Sequence, residues 1–101
     1  MPDYFVVENV IGPAWDHAVK RREQKGWAEH AAFMDALVDE GVIVLGGPLG
    51  DVNGEKTLLV CKVKDEAEIR DRLAQDPWSG DMLRVASVQS WTVWLRAKVR
   101  V

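Results

Sequence analysis

Apolar positions along this chain change their period from stretch to stretch, and the changes mark out the elements. Residues 4–10, Tyr-Phe-Val-Val-Glu-Asn-Val, are aromatic and β-branched and predict a strand, which Gly12-Pro13 ends. Residues 11–23 read as a connection holding Trp15, His17 and the basic run Lys20-Arg21-Arg22, and Ala14–Arg22 could carry a helical turn or two. From Gln24 to Glu40 the period is helical. Phe33, Leu37, His30, Met34, Trp27, Val38 and Ala31 fall in one arc of roughly 160° at 100° per residue, with Glu29, Asp39 and Glu40 outside it. Gly41 stands where a helix C-cap is expected.

Val42–Leu45 is a short apolar run with strand character, and Gly46 to Gly54 reads as a glycine-rich connection in which Asn53-Gly54 favours a tight turn. Lys56–Lys64 predicts the returning strand. Asp65 with Glu68 three residues on has the pattern of a capping box, opening a helix that turns Ile69 and Leu73 inward. That helix stops near Asp76, because Pro77 disfavours helical backbone at the residue before it. After a turn at Ser79-Gly80, Arg84–Leu95 reads as a long last strand, which the alternating tail 96–101 could extend. The order β-α-β-β-α-β predicts an α+β, ferredoxin-like fold: a four-stranded antiparallel sheet with two helices on one face, in a single domain over residues 1–101.

In such a two-layer fold the face of the sheet away from the helices should be mostly polar. Here both parities are apolar, with Tyr4 and Val6 against Phe5 and Val7, and Leu58 and Val60 against Leu59 and Val63. In the last strand Val85, Trp91, Val93 and Leu95 oppose Ala86, Val88 and Trp94. A second copy of the same sheet is the simplest cover, so a homodimer packed sheet to sheet is expected.

Composition narrows the functions. The net charge of −3, from 16 acids and 13 bases, leaves no strongly cationic surface for a nucleic-acid backbone. The single cysteine, Cys61, forms no internal disulfide and cannot build a thiolate zinc site. Two histidines without clustered carboxylates at ligand spacing argue against any metal site, and no cofactor motif is present. Position 3 is acidic and the chain turns polar after seven residues, so no signal peptide is expected, and no stretch reaches the ~18 apolar residues of a membrane span. A cytoplasmic location is the expectation.

Five Trp against two Phe and one Tyr is the unusual part of the composition. Each indole wants an apolar contact and a partner for its N–H. Trp27 is one turn from His30, and His30 lies within the apolar arc, where its ring nitrogens need partners. Asp76 is the natural one: continuing the second helix at 100° per residue brings it within about 20° of the inward position of Ile69. A carboxylate on one imidazole nitrogen fixes the tautomer and leaves the other nitrogen for acid or base work. The same pair can equally be a hydrogen-bonded strut. Trp27 and Trp78 would wall the site and Trp15 would be a movable cover. Trp91 and Trp94, of opposite parity, would divide between core and dimer interface. Gly47 and Pro48 would shape the rim, and Arg21 or Arg22 could meet an anionic group on a small ligand, although the run Lys20, Arg21, Arg22 and Lys25 also reads as a solvated face.

At these residues the chain resembles the YciI-like (YCII-related) family. The resemblance is carried by Trp27-Ala28-Glu29-His30, by Asp39-Glu40-Gly41-Val42-Ile43-Val44-Leu45-Gly46-Gly47-Pro48-Leu49, by the acidic helix start at Asp65, by Asp76-Pro77-Trp78 and by Val88 to Trp91. It covers roughly residues 4–95. It implies a ferredoxin-like fold in a dimeric α/β barrel and a His–Asp site, here His30 and Asp76. Relatives include enzymes that act by cofactor-free proton transfer on small hydroxylated or chlorinated aromatic rings and lactones. The function expected is a small cofactor-independent lyase or isomerase acting on a cyclic or aromatic substrate. The alternative is a dimeric ligand-binding or regulatory module without catalysis. The connection 11–23 looks longer than in the shortest family members.

Overall fold

The computed structural model describes residues 3–97. Four strands, β1 (Tyr4–Ile11), β2 (Ile43–Pro48), β3 (Lys56–Cys61) and β4 (Leu83–Trp91), form one antiparallel sheet in the order β2-β3-β1-β4. Two helices, α1 (Trp27–Asp39) and α2 (Glu66–Leu73), complete the α+β, ferredoxin-like fold. The sheet is open, with β2 and β4 at its edges. Both helices lie on one face of it, since Leu37 of α1 and Ile69 and Leu73 of α2 bury with Val7, Ile43, Leu59 and Cys61 in one core. Each fully buried aliphatic side chain there contributes on the order of 1.5–3 kcal/mol.

Local chemistry sets the element ends. α1 begins three residues later than the periodicity alone indicates, because Gly26 adopts φ +79° and breaks the run between Gln24 and Trp27. Its C-terminus closes as a Schellman turn: Gly41, at φ +77°, donates to the Val38 carbonyl and Val42 donates to that of Leu37. At α2 the Asp65 side chain accepts from the Glu68 N–H at 2.9 Å, while the Glu68 carboxylate reaches back one residue further than a capping box, to the Lys64 N–H. The helix ends at Leu73, three residues short of Asp76.

Several expectations are corrected. Gly46-Gly47-Pro48 is the end of β2 and not part of the loop, pairing with Leu59, Leu58 and Thr57. Proline is tolerated because β2 is an edge strand. A side chain at Gly46 would meet Leu59 Cδ2 at 2.7 Å, so glycine leaves room for the Leu59 side chain to pack there. The connection that follows β1, where the sequence allows a helical turn or two, carries a single 3-10 turn at Arg21–Glu23. β3 stops at Cys61, and β4 at Trp91, so residues 92–97 do not continue the last strand; the rest of the tail, 98–101, lies outside the described residues.

The two-parity reading of the last strand is corrected as well. Glu8 pairs with Ser87 and Asn9 with Val85, so Ala86 is the extra residue of a β-bulge. The bulge turns both Val85 and Val88 toward the helix-side core. Neither Trp91 nor Trp94 enters that core: Trp91 pairs with Tyr4 on the open face at 46% exposure, and Trp94 is 89% exposed. The open face still carries Tyr4, Val6, Leu58 and the exposed Leu45. Among the described residues no helix is long and apolar enough to cross a membrane.

Candidate functional site

The first turn of α1 and the turn after α2 meet over one end of the sheet. His30 donates its backbone N–H to Gly26, the first bond of the helix, and its side chain points inward, with the residue 7% exposed. Asp76 lies in the turn beyond α2, where its N–H donates to the Leu73 carbonyl and its Oδ1 accepts the Trp78 N–H at 2.9 Å. That side-chain turn, next to Pro77 with its fixed φ, aims the carboxylate at His30. Its two oxygens lie 2.8 and 2.9 Å from His30 Nδ1. Both side chains are more than nine-tenths buried. Such a pair is costly to break from one side, by about 3–5 kcal/mol, since the remaining member keeps its desolvation cost.

Tryptophans enclose the pair. The Trp78 indole stacks on the His30 ring, with centroids 4.1 Å apart and planes 6° from parallel. Its Nε1–H donates to the Lys25 carbonyl at 2.9 Å, passing beneath Gly26, where a side chain would stand 3.1 Å from that nitrogen. The positive φ and this approach together require glycine at position 26. Trp27 leans against both rings at 5.7 Å, and Trp15 meets Trp78 edge-on at 5.7 Å.

Beside the imidazole a cleft of about 530 Å³ opens between α1, the edge strand β2 and the 3-10 turn, a volume suited to a small organic ligand. His30, Trp27, Arg21, Arg22, Gly47 and Pro48 all line it. Among the described residues Nε2 of His30 has no hydrogen-bond partner, and no fully buried side-chain nitrogen or oxygen lacks one, so Nε2 keeps an accessible surface. The arrangement is a carboxylate behind an imidazole and a free ring nitrogen in front of it.

The nine site residues expected from the sequence all lie at one end of the fold: six line the cleft, Asp76 and Trp78 stand behind His30, and Trp15 packs edge-on against Trp78. Where the sequence suggests an exposed cover at Trp15, the structure has a buried wedge against Trp78 and Leu83 at 8% exposure. The connection can hold it there because Gly12 and Ala14 donate to the Met82 and Asp81 carbonyls, while the Gln24 side chain bonds the Asp16 backbone on both sides.

Asn9 and Thr57 were not expected. They face each other across β1 and β3 on the helix side and line the cleft. Asn9 is 7% exposed, and since no fully buried side-chain nitrogen or oxygen among the described residues lacks a partner, its amide keeps access to the cleft. A signal was present: Asn9 shares the inward parity of Phe5 and Val7, and an amide on that parity is out of place in a sealed core. A second cleft, about 380 Å³, lies where the chain after β4 crosses Tyr4 and shares no lining residue with the first. Among the described residues no three His, Cys, Asp or Glu side chains gather as a metal-ligand set.

A family model described as the YCII-related domain matches residues 9–92, which takes in both helices and nearly the whole sheet. No curated protein and no solved structure gives a significant match.

Proposed function

The chain belongs to the YCII-related domain family, and from that premise we propose that it is a cofactor-independent acid/base enzyme of the lyase or isomerase type. His30 Nε2 moves a proton on a small cyclic or aromatic substrate seated in the cleft. Asp76 holds Nδ1, sets the tautomer and stabilises the ring when it carries the extra proton. Trp78 fixes the plane of the imidazole, so that Nε2 is presented in one orientation. The observation that carries this reading is the division of the ring: a buried carboxylate 2.8 Å from Nδ1, and a cleft at the other nitrogen.

The open face supports a homodimer packed sheet to sheet, in which two open sheets close into a barrel. Leu45 is 68% exposed there, and Trp94 and Leu95 are 89% and 92% exposed just beyond β4. Sedimentation at micromolar concentration should give a dimer, and a stable monomer there refutes it. The buried Cys61 thiol suits the reducing cytoplasm, the compartment we infer.

A second reading has its own observation. Asp76 binds the Trp78 N–H as well as His30, and Trp78 stacks on the ring, so the group also serves as a strut in a ligand-binding module. A screen of small aromatic acids and lactones by thermal shift finds ligands, and turnover of those ligands separates the two readings. His30→Gln should lower turnover by about 10²–10⁴-fold, the usual worth of a positioned general acid or base. A folded, dimeric His30→Gln variant that turns over every substrate of the wild type refutes the enzyme.

A further inference from the structure

Arg21 is the one arginine in the described chain that is buried, at 8% exposure. Its Nε donates to the Val52 carbonyl at 3.3 Å and its Nη2 to that of Gly54 at 2.6 Å, while the guanidinium lies 5.0 Å over the Trp15 ring. Among the described residues no carboxylate comes within 4.0 Å of it. The contrast with α2 is informative: Arg70 and Arg72, both more exposed, have Glu66 and Glu40 at 2.7 and 2.6 Å. A buried cation satisfied by neutral carbonyls alone is expensive, and burial accordingly pulls the Arg21 pKa down from its ordinary value.

The two bonds to carbonyls leave Nη1 without a partner among the described residues, and since no fully buried nitrogen lacks one, Nη1 keeps access to open space. Arg21 lines the same cleft as His30. Arg22 adds a second positive charge there, 5.8 Å over the Trp27 ring, against a single lining carboxylate, the exposed Asp35. The rest of the lining includes Met34, Ile43 and Leu59. The cleft thus combines an apolar body with an excess of positive charge at one side.

We propose that the ligand of this cleft is a small carboxylic acid with a flat apolar body, its carboxylate received by Arg21 and its ring laid against Trp27 and Met34. This deepens the functional reading above and rests on the cleft being the place where substrate meets Nε2. A carboxylate matches the guanidinium fork and supplies the counter-charge that the fold withholds.

Phenylacetate, its neutral isostere phenylacetamide and benzylphosphonate serve as probes, titrated against the intact protein by tryptophan fluorescence. Phenylacetate should bind at least about ten-fold tighter than phenylacetamide, the size of one charge-assisted hydrogen bond, and at least as tightly as benzylphosphonate. In Arg21→Met the preference for acid over amide should fall to about one while the amide binds within about two-fold of wild type. Because Arg21 also anchors the 52–54 loop, the wild type gives an independent readout: the Arg21 Nε–H resonance should move with phenylacetate and stay in place with phenylacetamide. Equal binding of acid and amide, a preference that survives in Arg21→Met, or an unmoved Arg21 resonance overturns the assignment and leaves the acid/base reading standing. Much tighter phosphonate binding overturns the carboxylate in favour of a phosphate-type headgroup. If none of the probes perturbs Trp27 or His30, the cleft is not a ligand site and both readings fall.

Discussion

The helix-covered face of the sheet has two ends of different construction. Around Val7, Leu59 and Cys61 it meets Leu37, Ile69 and Leu73, and the contact is aliphatic and closed. Two residues further along β1, at Asn9 and Thr57, the same face borders the cleft. The helices reflect the same division, since Leu37 and His30 lie two turns, or about 10 Å, apart on one side of α1. Sealing one end with branched aliphatics supplies the stability that lets the other end keep a buried imidazole–carboxylate pair, an amide facing the cleft and a guanidinium without a carboxylate partner. His30 and Arg21, each bonded along one edge and free along the other, both stand at the open end, which makes it the candidate site.

This contrast can be broken from either side. The largest expected effect is at the sealed end, where Ile69 is fully buried. Ile69→Ala should cost about 2–5 kcal/mol of unfolding free energy by urea titration, with ligand affinity of the surviving folded protein unchanged. Converting the open end to the sealed type is the more telling change. Asn9→Val should leave stability unchanged or raise it by up to about 1 kcal/mol, because a largely buried amide that reaches only the solvent of the cleft is replaced by a β-branched strand former. The same variant should weaken ligand binding in a direct titration, and a loss of stability there would mean that Asn9 belongs to the core.

The last effect is electrostatic, is confined to alkaline pH and belongs to the sealed end alone. Burial pushes the Cys61 thiol from 9.0 up to about 11. Below pH 9 the folded and the unfolded chain both carry the thiol proton, and the folded state keeps its full advantage. Between pH 9 and 11 the unfolded chain ionises first, so stability is lost as pH rises through that window. Cys61→Ala should flatten this part of the stability curve relative to wild type, and an unchanged slope would show that the thiol is not in a dry core.

The sequence made some of this contrast readable and hid the rest. The sealed end follows from helical and strand periodicity together with caps, all local, and the order of elements was legible from them. The His30–Asp76 pair was legible because both residues sit on inward positions of predicted helices. Trp15 was not, because a tryptophan in a connection carries no periodicity, and its burial depends on backbone bonds to Asp81 and Met82 far along the chain. Arg21 could not be told from Lys20 and Arg22, since it is a loop 31 to 33 residues away that buries it. The parity of β4 misled for a third reason: the bulge at Ala86 changes which side chains share a face, and the strand ends before Trp94.

Proton transfer by His30 is read out by hydrogen–deuterium exchange on a bound ligand. Acids and lactones that bind the cleft are incubated with the protein in heavy water, and loss of each carbon-bound proton signal is followed by NMR. Exchange is expected at one carbon of at least one ligand, slowed by about 10²-fold or more in folded His30→Gln. Exchange at the same rate in that variant, or none in the wild type with any ligand that occupies the cleft, would contradict it.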